Sequence, residues 1–130
     1  MTKFIIELNP VTKKNHQRIV YVGRGAKRKP MIIPSKAYKE YEHNAILFCP
    51  ALHIDYAVNV EAHYYMQTRR RVDLTNLHEA LHDVLVKAGT LVDDNCKIIV
   101  STDGSRVHYD KANPRTEVII SEVYTIGIPK

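Results

Sequence analysis

Residues 54–66, IDYAVNVEAHYYM, decide the fold because apolar and polar side chains alternate along them. The apolar members of this alternation are Ile54, Tyr56, Val58, Val60, Ala62, Tyr64 and Met66. Successive side chains of a β-strand point to opposite faces, so this period of two predicts a long strand with one face on the core. The other face of the strand carries polar residues such as Glu61 and His63.

The elements around this strand are predicted from periodicity and from caps. Apolar residues at helical spacing predict an amphipathic helix over 74–88, with Asp73 at its N-cap and Gly89 at its end. Ser35 caps a second predicted helix over 36–48. Further strands are predicted at 3–8, 17–22, 31–33, 97–102 and 116–123, with the basic segment 23–30 at a hairpin tip. The order β-β-β-α-β-α-β-β predicts a single α+β domain over 1–130, with two helices on a mixed sheet.

The composition indicates an ordinary globular protein with a surplus of positive charge. The 130 residues are 45% hydrophobic and 25% charged, and the net charge is +5. A positive surplus favours a polyanionic partner. The sequence shows neither a signal peptide nor a membrane-spanning stretch, and Cys49 and Cys96 match no metal-binding or redox spacing. We therefore expect a cytoplasmic protein without a membrane partner, with both cysteines reduced in the core.

Residues 69–94, RRRVDLTNLHEALHDVLVKAGTLVDD, carry the candidate chemistry. Three arginines lead directly into Asp73 at the start of a predicted helix, and Asp93 and Asp94 follow that helix. If the helix and the returning strand are neighbours, Asp73 can lie near Asp93 or Asp94. Clustered carboxylates suit Mg²⁺, and arginines can position a phosphate backbone.

Each acidic residue also has a purely structural interpretation. Asp73 can serve only as an N-cap, and Asp93 and Asp94 can be turn residues. Asp83 is either solvated surface or a support for the site, and Asn76 can bond the local backbone.

Basic residues of the N-terminal third form a candidate DNA-binding surface. The cations lie at Lys13, Lys14, Arg18, Arg24, Lys27, Arg28 and Lys29. A charge run is often just a solvated loop, but three further arginines precede the acidic helix, which favours phosphate contact. The adjacent Tyr64 and Tyr65 are expected to pack in the fold rather than to stack on bases.

The order and spacing of several short motifs resemble the RusA family of Holliday-junction resolvases, over most of the chain. The motifs are the turn at 10–15, the helix start at Pro34-Ser35 with Tyr38, the stretch 70–73, Asn76, Leu77 and Asp83 in the helix, Gly89 with 92–94, and 114–116. The resemblance implies a RusA-like fold, a symmetric homodimer and cleavage of branched DNA by Mg²⁺- or Mn²⁺-dependent phosphodiester hydrolysis. It also implies a bacterial or phage origin and roles in DNA recombination and repair.

Residue by residue, the resemblance implies that Asp73 and Asp94 are metal ligands and that Asn76 supports them; Asp93 stays a candidate ligand. The expected DNA-binding set is Lys13, Lys14, Asn15, Arg18, Arg69, Arg70 and Arg71. Two positions depart from the family pattern, because Thr75 stands where the family has a second aspartate and Glu79 stands where it has a lysine. Residues four apart share a helix face, and helical side chains lean toward the N-terminus. We therefore hypothesise that Glu79 supplies the carboxylate missing at Thr75.

Residues 78–82, HEALH, also match the H-E-x-x-H motif of zinc peptidases. In that motif two histidines bind Zn²⁺ and the glutamate is the general base. Asp83 directly follows the second histidine, where an uncharged residue is expected, and no third ligand lies at the extended-motif spacing. The sequence thus leaves three classes open, which are an active resolvase, a catalytically inactive DNA-binding relative and, least favoured, a zinc peptidase.

Overall fold

The central strand of the structure, a computed structural model that describes residues 1–13 and 17–124, covers Val58–Met66. In chain order the strands and helices are β1 Thr2–Ile6, β2 Gln17–Val22, β3 Lys29–Pro34, α1 Lys36–Ile46, β4 Val58–Met66, α2 Leu74–Lys87, β5 Ile99–Ser101, β6 Arg106–Tyr109 and β7 Arg115–Glu122. The chain forms an α+β domain with two helices on a mixed sheet, as the sequence predicts.

The main sheet is ordered β1-β7-β4, and both β5 and β6 pair with the remaining edge of β4. The β1–β7 and β4–β7 pairs are antiparallel, while β5 and β6 run parallel to β4. The Asn59 side chain bridges the break between β5 and β6 because it accepts from the Asp103 amide and donates to the Asp103 carbonyl.

The core lies between this sheet and α2. Alternate residues of β4 are buried, from Val58 to Tyr64, which confirms the predicted period of two. The buried face of α2 contributes Leu77, Leu81, Val84 and Leu85 to the same cluster. Each such side chain stabilises the fold by about 1.5–3 kcal/mol relative to exposure.

The structure departs from the predicted strands at two places. β4 begins at Val58, because Ile54 forms an isolated bridge with Leu91 in the turn after α2 and Tyr56 is 47% exposed. The predicted strand at 54–57 is therefore wrong. Ile54 instead holds the turn after α2, because its amide donates to the Thr90 carbonyl and its carbonyl accepts from the Val92 amide. β6 lies in a segment expected to be a polar loop, so that expectation is wrong for these residues. Its alternation covers only four residues, which is too short to identify a strand from the sequence, and the strand pairs with β4.

The hairpin expected around residues 23–30 is confirmed, since β2 and β3 pair antiparallel. They form a two-stranded sheet of their own, and Ile19, Tyr21 and Ile32 on it are each 60% or more exposed. Cys49 is half-buried and Cys96 is exposed, so the core position expected for Cys96 is wrong. Neither helix of the described chain has the length and hydrophobicity needed to cross a bilayer.

Candidate nucleic-acid interface and metal site

Asp73 stands at the N-cap of α2, but its side chain makes no capping hydrogen bond to the helix. Its backbone carbonyl accepts from the amides of Asn76 and Leu77, at 3.1 and 3.2 Å. The carboxylate accepts a long bond of 3.4 Å from the Asn76 side-chain amide and is exposed to solvent. Because the Asp73 carboxylate does not bond the helix amides, its oxygens remain accessible to a cation.

Three exposed arginines, Arg69, Arg70 and Arg71, lead into Asp73. Arg70 and Arg71 line a pocket of about 140 Å³ together with residues 10–12 of the N-terminal turn. The turn is held there because the Gln67 amide donates to the Asn9 side chain at 3.1 Å. The fold therefore brings two separate parts of the sequence, residues 9–13 and 69–73, to the same end of β4.

Lys13 and Asp83 form an ion pair of 3.4 Å, which links the N-terminal turn to α2. This contact gives Asp83 a structural partner and reduces the charge that Lys13 can offer to a phosphate. Lys14 and Asn15 lie outside the described residues, and Arg18 is described only through its backbone in β2.

Asp93 serves the turn after α2. Its carboxylate accepts from the Asp94 amide at 2.7 Å and from the Asn95 side chain at 3.1 Å. The backbone hydrogen bond from Asp94 is the main reason why the pKa of Asp93 lies below its ordinary value. Asp94 is exposed, and the turn uses its backbone amide. Of this pair, Asp94 is therefore the residue that is available to a cation.

The acidic residues are attached to opposite ends of α2. Asp73 precedes the helix, whereas the chain that carries Asp94 leaves its other end, where the Thr90 and Leu91 amides bond the Leu85 carbonyl. The 14 residues of α2 correspond to a length of about 21 Å. Over residues 1–13 and 17–124, no three His, Cys, Asp or Glu side chains are placed to hold a metal ion together. The expected set of Asp73, Glu79 and Asp94 is thus not assembled as a three-ligand group within one chain.

Thr75 and Glu79 are both exposed on α2. Their four-residue spacing puts them on one face of the helix, and that face is turned to solvent. The structure is therefore compatible with a Glu79 carboxylate that reaches over the turn carrying Thr75.

The two histidines of the HEALH motif point to the opposite side, into the interior. His78 is 9% exposed, and its Nδ1 lies 2.7 Å from the Tyr64 hydroxyl. The His78 and His82 rings stack nearly parallel, with centroids 5.6 Å apart. Burial lowers the pKa of His82 to about 4. A peptidase zinc site needs an open coordination position and a nearby glutamate, and this buried pair with Glu79 on the solvent side fits that chemistry poorly.

An aromatic stack on the other face of the sheet was not apparent from the sequence. Tyr65 is covered on one side by the Arg115 guanidinium, at 3.7 Å, and stacks on His108 with centroids 4.4 Å apart. Tyr64 is buried, so the expectation that the tyrosine pair packs in the fold is confirmed. The stack depends on the pairing of β6 with β4, and β6 itself was not predicted.

A scan of the chain against models of protein families gives no match, and a search among curated proteins gives none either.

Proposed function

We propose that this protein is a Mg²⁺-dependent DNA endonuclease of the RusA-like kind, which cleaves branched DNA such as a four-way junction by phosphodiester hydrolysis. The observation that carries the proposal is the exposed run from Arg69 to Asp73, which ends in a carboxylate that does not cap its helix. A cationic segment next to an accessible carboxylate suits a phosphate and its metal ion at the same time.

The donor chemistry of the site fits Mg²⁺. This ion prefers oxygen ligands, keeps several waters and is commonly bound by one or two carboxylates plus phosphate oxygens. Asp73 would hold the ion with Glu79 as a further candidate ligand, and Asp94 would join them only from a second copy of the chain. When bound, such an ion lowers the pKa of water and neutralises charge that develops on the phosphate. The arginines bind the phosphate backbone and orient the strand that is to be cut.

We also propose that the protein acts as a homodimer. Resolution of a four-way junction requires two symmetric incisions, and a two-fold dimer supplies two equivalent sites. The attachment of Asp73 and Asp94 to opposite ends of α2 is compatible with this arrangement, because a second copy can bring an acidic residue to a site that is incomplete in one chain.

The test is cleavage of a labelled immobile four-way junction in Mg²⁺ or Mn²⁺, compared with a linear duplex of the same sequence. We expect paired nicks in the junction and a loss of cleavage of about a hundredfold in Asp73→Asn, because the amide is a poor metal ligand, with junction binding retained. The matched control is Asp103→Asn, at an exposed aspartate between β5 and β6 that belongs to none of these segments.

Two outcomes contradict the proposal. If the wild-type protein binds junctions but cuts no branched DNA with either ion, it is a DNA-binding relative without catalytic activity. If Asp73→Asn cuts as fast as the wild type, the site has been assigned to the wrong residue.

A further inference from the structure

A second feature of the same end of the sheet is a pocket between β6 and the arginine segment. β6 is an edge strand, and the register Met66↔Tyr109 places the Tyr109 side chain on the same side of the sheet as Met66. Tyr109 and Val107 are each 41% exposed there. The pocket has a volume of about 270 Å³ and is lined mainly by Met66, Thr68, Arg69, Arg70, Val107 and Tyr109.

Flat side chains shape one wall of this pocket. The Arg69 guanidinium lies over the Tyr109 ring, 4.2 Å from its centroid. Planar guanidinium and phenol groups stack on the faces of nucleobases, while the charge of arginine also attracts phosphate. The pocket thus combines apolar contact, two stacking planes and positive charge.

Arg69 and Arg115 both cover a tyrosine ring, but they differ in their ion pairs. Arg115 also covers a tyrosine, but Asp110 and Glu117 hold it at 3.0 and 2.8 Å. In the part of the chain that the structure describes, no carboxylate lies within 4 Å of the Arg69 guanidinium. The charge of Arg115 is therefore neutralised by the fold, whereas the charge of Arg69 is available to a ligand.

The two tyrosines differ in the same way. Tyr65 has Arg115 at one side and His108 as a stacking neighbour, so its ring is used within the protein. In contrast, Tyr109 has a contact with Arg69 and keeps 41% of its surface exposed beside an open pocket.

We propose that this pocket binds one unpaired nucleotide of a DNA strand, with its base against Tyr109 and Arg69 and its phosphate toward Arg70. A paired base hides both faces in the duplex stack, so only an unpaired or displaced nucleotide can enter. The inference rests on the proposed function for its ligand. A pocket of this kind makes the protein selective for branch points where a nucleotide leaves the helix. Arg70 also lines the neighbouring pocket beside residues 10–12, so one strand can pass from this pocket toward Asp73.

The experiment compares the binding of a fluorescent oligo(dT) and of a blunt duplex of equal length, in EDTA so that neither is cut. We expect Tyr109→Ala to weaken oligo(dT) binding by about 5- to 100-fold, because stacking on one base contributes that much affinity. Duplex binding should change less than about twofold, since its affinity comes from phosphate contacts. Tyr109→Phe should bind oligo(dT) like the wild type, whereas Arg69→Lys, which keeps the charge but loses the planar group, should not.

Tyr56→Ala is the matched control, because Tyr56 is 47% exposed but lies outside the pocket. Melting temperatures of all variants verify that each is folded. If Tyr109→Ala binds oligo(dT) with wild-type affinity, the proposed nucleotide pocket is wrong. It is also wrong if the variant loses as much affinity for the duplex as for oligo(dT). Junction cleavage by the wild-type protein tests the nuclease independently: cleavage without any dependence on Tyr109 overturns only the pocket, and Tyr109-dependent binding without cleavage overturns only the nuclease.

Discussion

The Tyr64 hydroxyl and Nδ1 of His78 lie 2.7 Å apart and connect the central strand to α2 inside the core. His82 stacks on His78 from the next turn of the helix. Within the described residues, Nε2 of both rings is buried without a hydrogen-bond partner. Burial lowers the pKa of both imidazoles, so the folded protein favours their neutral form.

This pair predicts that acid destabilises the fold. The unfolded chain takes up a proton on His82 near pH 6.5, whereas the folded chain does so only near pH 4. The stability that depends on neutral His82 is therefore present above pH 6.5 and is lost as the pH falls to 4. The loss should be about 2 kcal/mol, after allowance for partial exposure.

Urea unfolding at several pH values measures this effect. His82→Gln should flatten the dependence between pH 6.5 and 4, while His43→Gln, at an exposed histidine of α1, should not. A slope in His82→Gln equal to that of the wild type would show that other groups cause the acid sensitivity.

Gly104 is predicted to be required for the turn between β5 and β6. Its φ is +90°, and a Cβ there would lie 2.8 Å from the Glu61 carboxyl group. Alanine would strain the backbone and push Glu61 away from His63, with which it makes a 2.6 Å contact. We expect Gly104→Ala to lower the free energy of unfolding by about 2 kcal/mol.

Gly25→Ala is the control for this change. Gly25 also has a positive φ, of +57°, but a Cβ there meets nothing within 4 Å. If both variants lose equal stability in thermal unfolding, the backbone conformation alone sets the cost and the contact with Glu61 contributes nothing.

The sequence predicts the architecture well where the apolar period is long. β4 and α2 each bury one regular face, so the period of their apolar residues identifies both elements in the sequence. The short β6 was missed because an edge strand has a weak pattern and forms only by pairing with β4. Residues 54–57 do not extend β4, because Ile54 bridges Leu91 in the turn after α2 and Tyr56 is exposed.

The candidate site could be predicted only in part, because its geometry depends on tertiary contacts. The adjacency of Arg69–Asp73 is visible in the sequence, but the approach of residues 10–12 to Arg70 is not. The spacing of the acidic residues also cannot show which carboxylates already bond other groups of the folded chain. The structure answers this for Asp93, which bonds the turn, and for Asp83, which pairs with Lys13.

Arg71 is predicted to contribute to DNA binding through phosphate contact. Arg71→Ala should weaken binding to every DNA sequence alike and reduce the slope of log K against log salt by about 1. Fluorescence titrations between roughly 50 and 200 mM KCl measure this slope. Lys39→Ala, at an exposed cation on α1, is the control and should leave the slope unchanged. Equal slopes for Arg71→Ala and the wild type would place DNA on another surface.

The last prediction concerns Glu79 and Thr75, which share the solvent face of α2. If Glu79 supplies the carboxylate that Thr75 lacks, Glu79→Gln should reduce Mg²⁺-dependent junction cleavage at least tenfold and raise the Mg²⁺ concentration needed for half-maximal rate. Adding Thr75→Asp to Glu79→Gln should restore much of the rate, because the carboxylate returns to the same helix face. Glu40→Gln, at an exposed glutamate of α1, is the control for loss of negative charge. Full activity of Glu79→Gln would show that Glu79 is not a ligand, since a carboxylate that holds the ion cannot be replaced by an amide without a change in the metal dependence.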